Sequence, residues 1–170
     1  MSEIPVPIYN SYKVEGNLYA GEYPGDFDTV QAKNKVRQLL DFGITDFIDL
    51  TEADELYPYD CYLPEGITRH NFPLQDLGVP KRDREMDSIL ARINELLQAG
   101  RTVYVHCWGG IGRTGTVIAC WLGVQHQVDG ERALEMLTTL WNTCPKSRRV
   151  DSPETLRQRQ YVCEFLERRK

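Results

Sequence analysis

One stretch constrains this chain more than any other. Thr102-Val103-Tyr104-Val105 is of strand type, Thr116 to Gln125 is apolar enough for a buried helix, and between them runs His106-Cys107-Trp108-Gly109-Gly110-Ile111-Gly112-Arg113-Thr114-Gly115. A cysteine therefore stands where a buried strand ends, and an arginine stands where a helix begins. Three of the five residues between them are glycines. Glycine allows positive φ, so the backbone can turn its N–H groups inward. Inward N–H groups at a helix N-terminus make an anion site. A cysteine at the rim of that site should have its thiolate stabilised. The planar fork of Arg113 can hold two oxygens of a phosphate at once.

On these residues the chain resembles the protein tyrosine phosphatase superfamily, whose signature loop reads His-Cys-x5-Arg-Thr-Gly. The glycine-rich filling and small size look like the dual-specificity branch, near the cyclin-dependent-kinase-inhibitor-3 type. The competing reading is a Gly-rich turn around an inert buried thiol, as free cysteine often is. The flanking strand and helix favour the phosphatase loop, because that is the context the motif requires. The resemblance covers roughly residues 44–166.

The resemblance implies roles. Cys107 would be the nucleophile. Arg113 and the N–H groups of Trp108, Gly109, Gly110, Ile111 and Gly112 would bind the phosphate oxygens. Thr114 would donate its hydroxyl to the departing sulfur, against the plainer reading of a capping residue. His106 would order the loop. The proton donor is expected on a loop upstream of the cysteine. Asp76, in Phe72-Pro73-Leu74-Gln75-Asp76-Leu77-Gly78-Val79-Pro80, resembles the family's general-acid loop, although Asp beside Gly and Pro is also a common turn. Asp83, Glu85 and Asp87 are rivals at the start of the next helix. Larger family members position the hydrolytic water with a Gln-Thr-x-x-Gln pattern. Here Glu154 replaces the first Gln, while Thr155 and Gln158 fit, so Gln158 is a supporting candidate. Lys146, Arg148 and Arg149 form a basic cluster, either solvated surface or an attractor for phosphate at the rim. Trp108 is expected as a pocket wall or as packing beneath the loop.

The remainder of the chain supplies a frame. Residues 1–15 read as a surface arm, followed by a short strand over 17–22. Asp26 to Thr29 offers N-caps for a helix with its stripe at Val30, Val36, Leu39 and Leu40 and Gly43 as stop. Residues 44–50 and 67–72 read as strands. A helix spans about 82–99, apolar at Met86, Ile89, Leu90, Ile93, Leu96 and Leu97. Asp129-Gly130-Glu131 opens another helix, packed through Ala133, Leu134, Leu137, Leu140 and Trp141. Ser152-Pro153-Glu154 reads as cap and N1 proline of a last helix, docked by Tyr161, Val162, Phe165 and Leu166. Alternating strands and helices argue an α/β fold with a mostly parallel sheet of four or five strands. The cysteine loop then falls at the carboxyl end of a central strand, where such sheets bind ligands. Asp76 is expected on the loop after a strand adjoining that central one.

The chain has 170 residues, 41% of them hydrophobic, which suits one phosphatase domain over 1–170. Its net charge of −5 argues against nucleic-acid or membrane-surface binding. The N-terminus has no basic-then-apolar leader. Five irregularly spaced cysteines, without a Cys-x2-Cys pair, read as free thiols in the cytoplasm rather than as a zinc site. The expected partner is a phosphorylated protein or peptide, met by a monomer needing no metal or cofactor. Inositol phosphates or phosphoinositides are the alternative substrates, disfavoured because the loop carries no lysine. A phosphate-binding pseudoenzyme is the third reading. Cys61 is a candidate to trap an oxidised Cys107.

Overall fold

The computed structural model describes residues 3–170. Five strands form one sheet: β1 (Ser11–Glu15), β2 (Leu18–Gly21), β3 (Asp46–Asp49), β4 (Thr68–Asn71) and β5 (Val103–His106). Their order across the sheet is β1-β2-β5-β3-β4. Only β1 runs antiparallel, paired with β2. The β2–β5, β3–β5 and β3–β4 pairs are parallel. Five α-helices complete the α/β fold: α1 (Thr29–Phe42), α2 (Asp83–Gln98), α3 (Gly112–His126), α4 (Gly130–Trp141) and α5 (Leu156–Arg168).

Strand alternation divides the core in two. On one face, Val103, Val105, Leu18 and Ile48 pack against α2, α3, α4 and α5 through Ile89, Ile93, Val117, Leu137, Val162 and Phe165. On the other, Tyr104, Phe47 and Tyr19 meet Val36 and Leu39 of α1, and Tyr59 from the loop after β3. Residues Gly112 to Gly123 of α3 are buried without a break, which explains why that helix is apolar nearly all round.

Several elements differ from expectation for identifiable reasons. The arm expected over 1–15 is shorter, because Ser11–Glu15 pairs as β1 and buries Tyr12 edge-on against Trp141, ring centroids 5.8 Å apart. Residues 1–2 of that arm lie outside the described residues. Val30 leaves the predicted stripe of α1 and is 65% exposed; Ala32, Val36 and Leu39 form the buried face. Asp28 caps α1 through Val30 N and Gln31 N, and Gly43 closes it in the left-handed region. Ser152-Pro153 does not start α5. The cap is Thr155, in a capping box with Gln158. Finally, β4 is an edge strand separated from β5 by β3. Asp76 still reaches the site, because parallel pairing brings the loops after β3, β4 and β5 to one edge of the sheet.

In the β2–β5–β3 ladder, Gly21, His106 and Asp49 are in register. The chain leaves β2 and β3 on opposite sides of β5, which opens a crevice at its carboxyl end. Among the described residues, no helix is long and apolar enough to cross a membrane.

Candidate active site

Cys107 follows the last residue of β5 and is 3% exposed. Its loop is held from outside by its carbonyls. Tyr23 N donates to Trp108 O at 2.9 Å. Lys146 Nζ donates to Gly109 O at 2.9 Å, and Ser152 Oγ to Ile111 O at 2.6 Å. A peptide plane whose C=O is tied outward presents the next N–H on its opposite side. The N–H groups of Gly109, Gly110 and Gly112 are thereby turned away from those outer donors, which suits a loop that cradles an anion on its inner side.

Of the three loop glycines, only Gly110 takes positive φ, +74°. A Cβ there would also stand 2.4 Å from the Gly21 carbonyl carbon, so β2 is packed directly against the loop backbone. Gly112 is needed for space instead: a Cβ would come within 2.9 Å of the Gln158 amide.

His106 is fully buried, between aromatic rings of Tyr23, Tyr59, Phe47 and Tyr104. Its Nδ1 lies 3.2 Å from Cys107 O, and its Nε2 lies 2.6 Å from Tyr59 Oη. A carbonyl oxygen only accepts, so the proton belongs on Nδ1, and Nε2 accepts from Tyr59. Burial keeps the Tyr59 hydroxyl protonated and pushes the His106 pKa below its ordinary value. A neutral, fixed imidazole thus orders the peptide that carries Cys107.

Arg113 stands in the first turn of α3 with its side chain 1% exposed. Both terminal nitrogens donate to one carboxylate: Nη1 to Glu55 Oε1 at 2.8 Å and Nη2 to Glu55 Oε2 at 2.7 Å. Nη1 also donates to Leu74 O at 3.1 Å. Burial opposes the arginine charge, but the hydrogen bonds to Glu55 and the nearby Cys107 sulfur hold its pKa above the ordinary value. The same hydrogen bond holds the Glu55 carboxyl below the usual carboxylate range. With the end-on edge of the guanidinium occupied, the side-on edge faces the cleft. There Nε is buried without a partner, and Nη2 has Asp76 Oδ1 at 3.3 Å. The Thr114 hydroxyl, the next residue along, is likewise buried and unpartnered.

A cleft of about 230 Å³ brings together Cys107, Arg113, Asp76 and Glu154. Trp108, Gly109, Ile111 and Gly112 line it as well. The Asp76 side chain is half exposed, and Leu77 N donates to its Oδ1 at 3.0 Å. The sequence rivals are committed elsewhere. Asp83 accepts from Arg168 and Tyr161, Glu85 accepts from the backbone N–H groups of Lys81 and Arg82, and Asp87 pairs with Arg169. Trp108 is a wall rather than packing beneath the loop, with 60% of its surface exposed.

Gln158 is fully buried. Its Oε1 accepts from Thr155 N at 3.1 Å, and its Nε2 donates to Gly78 O at 3.1 Å. It braces the Asp76 loop against α5, while Glu154 lies in the cleft itself. Cys61 is exposed in a 3-10 turn (Asp60–Tyr62) and is not among the residues lining the cleft. Glu55, Lys146 and Ser152 hold the site together in ways that motif reading does not give: Glu55 goes unnoticed, Lys146 reads as surface or as a phosphate attractor, and Ser152 as a helix cap. For Glu55 no local signal exists: it is one acid among several in a polar loop. Among the described residues, no cluster of three His, Cys, Asp or Glu side chains is placed to hold a metal ion.

A family model described as PTP-SAK, the Swiss Army Knife DSP-PTPase phosphatase domain, matches residues 25–162. Protein 067L of Invertebrate iridescent virus 3, named for a tyrosine phosphatase, is 32% identical over 129 residues, covering 73% of this chain and 50% of its own length. Cyclin-dependent kinase inhibitor 3 of Sus scrofa is 29% identical over 138 residues, covering 77% of this chain and 61% of its own. The chain thus spans only half to three-fifths of these two relatives. Among solved structures, kinase associated phosphatase with its catalytic cysteine replaced by serine superimposes with a TM-score of 0.73 at 26% identity, over 89% of this chain and 86% of that one. The family match over most of the chain, on the fold and loop described above, establishes that this chain belongs to the dual-specificity-type protein tyrosine phosphatases, a family of hydrolases.

Proposed function

We propose that the chain hydrolyses phosphomonoesters on proteins, phosphotyrosine first and phosphoserine or phosphothreonine by extension, through a phosphocysteine intermediate. One observation supports this reading above the others. Among the described residues, three buried side-chain polar atoms lack partners, and two of them, Arg113 Nε and Thr114 Oγ1, belong to consecutive residues where the cysteine loop enters α3. Leaving such donors unmade costs about 1–3 kcal/mol each. A tetrahedral dianion against the loop would satisfy Arg113 Nε and share Nη2.

In the first step the Cys107 thiolate attacks phosphorus and forms the S–P bond. The P–O bond to the substrate breaks, and Asp76 gives its proton to the departing oxygen. The loop N–H groups and the side-on edge of Arg113 stabilise charge on the three equatorial oxygens. In the second step water attacks phosphorus and yields its proton to the Asp76 carboxylate. The S–P bond breaks, Cys107 leaves as thiolate assisted by Thr114, and inorganic phosphate is released. His106 orders the loop. Gln158 positions the acid loop rather than touching the reacting atoms. No step calls for a metal or cofactor. The free thiols fit a reducing cytoplasm.

The test is turnover of a phosphotyrosine peptide, a phosphothreonine peptide, a phosphoinositide and inositol hexakisphosphate by one preparation. The reading predicts the phosphotyrosine peptide as the best substrate by kcat/KM. A higher kcat/KM on either inositol substrate would replace it with the alternative.

A further inference from the structure

Beside the catalytic cleft lies a larger one of about 650 Å³. The two share Trp108 and Gly109 as a common wall. Three large aromatic side chains stand around the second cleft with most of their surface in solvent: Phe27 at 80%, Tyr57 at 65% and Trp108 at 60%. Single exposed apolar residues are ordinary, but three converging on one cleft are not.

The frame beneath them is rigid. Tyr23 donates its backbone N–H to Trp108 O and its hydroxyl to Tyr57 O at 2.9 Å, and its ring packs on His106 and Tyr59. Tyr23 thus ties the backbones of Trp108 and Tyr57 together beside the cysteine loop, which limits the cost of ordering that part of the wall on binding.

The charges in this cleft cancel. Glu22 lies between two lysines, 3.3 Å from Lys35 Nζ and 3.0 Å from Lys146 Nζ. Lys146 also bonds to the loop at Gly109 O. Asp26 adds the fourth charge, so the lining carries two acids and two bases. A second phosphate would find no net attraction here, whereas an apolar group would find aromatic walls.

We propose that this cleft is a specificity subsite that takes an apolar side chain of the substrate from a position next to the phosphorylated residue. The occupant follows from continuity. The two clefts share Trp108 and Gly109, so a peptide whose phosphate sits on the Cys107 loop would carry a neighbouring side chain to the edge of the second cleft. The inference rests on the phosphoprotein reading and names the sequence context that reading would prefer.

The experiment compares phosphotyrosine peptides that differ only beside the phosphotyrosine, where they carry Leu, Phe, Ala or Glu. A small aryl phosphate serves as the control. The wild type should favour the Leu and Phe peptides over the Ala peptide by about tenfold in kcat/KM, the scale that a small apolar increment gains in a hydrophobic pocket. The gain should appear in KM rather than kcat, since it reflects uniform binding. Phe27→Ala and Tyr57→Ala should each erase most of the preference and leave the aryl phosphate rate unchanged. Equal rates on all peptides, a preference for Glu, or an intact preference in both variants would overturn the subsite while leaving the phosphatase reading standing. Inert peptides together with rapid inositol phosphate hydrolysis would overturn both.

Discussion

Glu55 is the residue whose removal tests most about how the site is built. Two charge-assisted bonds, at 2.8 and 2.7 Å, fix the end-on edge of Arg113 and leave free the side-on edge that the proposed mechanism gives to substrate. Each such bond contributes about 1.5–3 kcal/mol. Glu55→Gln keeps one acceptor oxygen and loses one of the two bonds. If the lost orientation appears fully in the transition state, at about 1.4 kcal/mol per decade, kcat falls by roughly tenfold or more. Glu55→Ala removes both bonds. Leu74 O still holds Nη1, so the loss stays below the sum and is about 100-fold, the scale of misplacing a catalytic group by about an ångström. The alanine variant should also melt earlier, because a buried charge has lost its partner. The assay is kcat and KM on an aryl phosphate, with binding of a phosphate analogue measured separately. A Glu55→Ala enzyme with normal kcat, or one that binds the analogue tighter and turns over faster, would refute the argument. Glu55 would then be a competitor for Arg113 and not its positioner.

Three further outcomes are expected. Asp76→Asn should slow a phosphotyrosine peptide by roughly 100-fold or more and an aryl phosphate with an acidic leaving group far less; equal losses on both would reduce Asp76 to a turn residue and direct attention to Glu154, the other carboxylate in the cleft. Gly110→Ala places a Cβ 2.4 Å from the Gly21 backbone at φ +74°, so it should displace the loop and lower kcat by about 100-fold with circular dichroism unchanged, and a rate within a few-fold of wild type would contradict the packing. His106 has a folded pKa below its ordinary 6.5, so between the two values the unfolded chain binds a proton that the folded chain does not. Stability should therefore decline as pH falls from 6.5 toward the folded pKa, with no such slope above it, and a His106→Asn variant with the same slope in urea denaturation would exclude His106 as the cause.

The legible parts of this chain were those whose meaning is local. The strand, glycine loop and buried helix around Cys107 are contiguous, so spacing alone carried the strand–loop–helix turn and the place of Arg113 at the helix start. The helices α1, α2 and α4 were readable from period and caps, within a few residues. What stayed hidden depended on contacts across the sheet. Glu55 lies in a polar loop with Glu52 and Asp54, and only the fold selects which acid meets Arg113. Lys146 was legible only as solvated surface or as an attractor for phosphate at the rim, and its bond to Gly109 O was not, because 37 residues separate the partners. The start of α5 lies beyond the Ser152-Pro153 signal from which the sequence reading places it. Ser152-Pro153 imitates a cap and N1 proline, but Ser152 is drawn off to Ile111 O, and the Thr155–Gln158 capping box, equally visible in the sequence, sets the helix. The β1 strand was masked by Pro5 and Pro7 just before it. Its two inward residues, Tyr12 and Val14, are too few to establish an alternation.

The central claim is the covalent bond between phosphorus and the Cys107 sulfur. It is tested most directly by acid-quenching the enzyme during turnover of a phosphotyrosine peptide and mapping the phosphoryl group by mass spectrometry. The account predicts one phosphoryl group on the peptide containing Cys107. It also predicts that Cys107→Ser shows neither label nor turnover, yet retains binding of a phosphate analogue, since Arg113 and the loop N–H groups remain. A label on another residue, or a Cys107→Ser enzyme within tenfold of the wild-type rate, would contradict it.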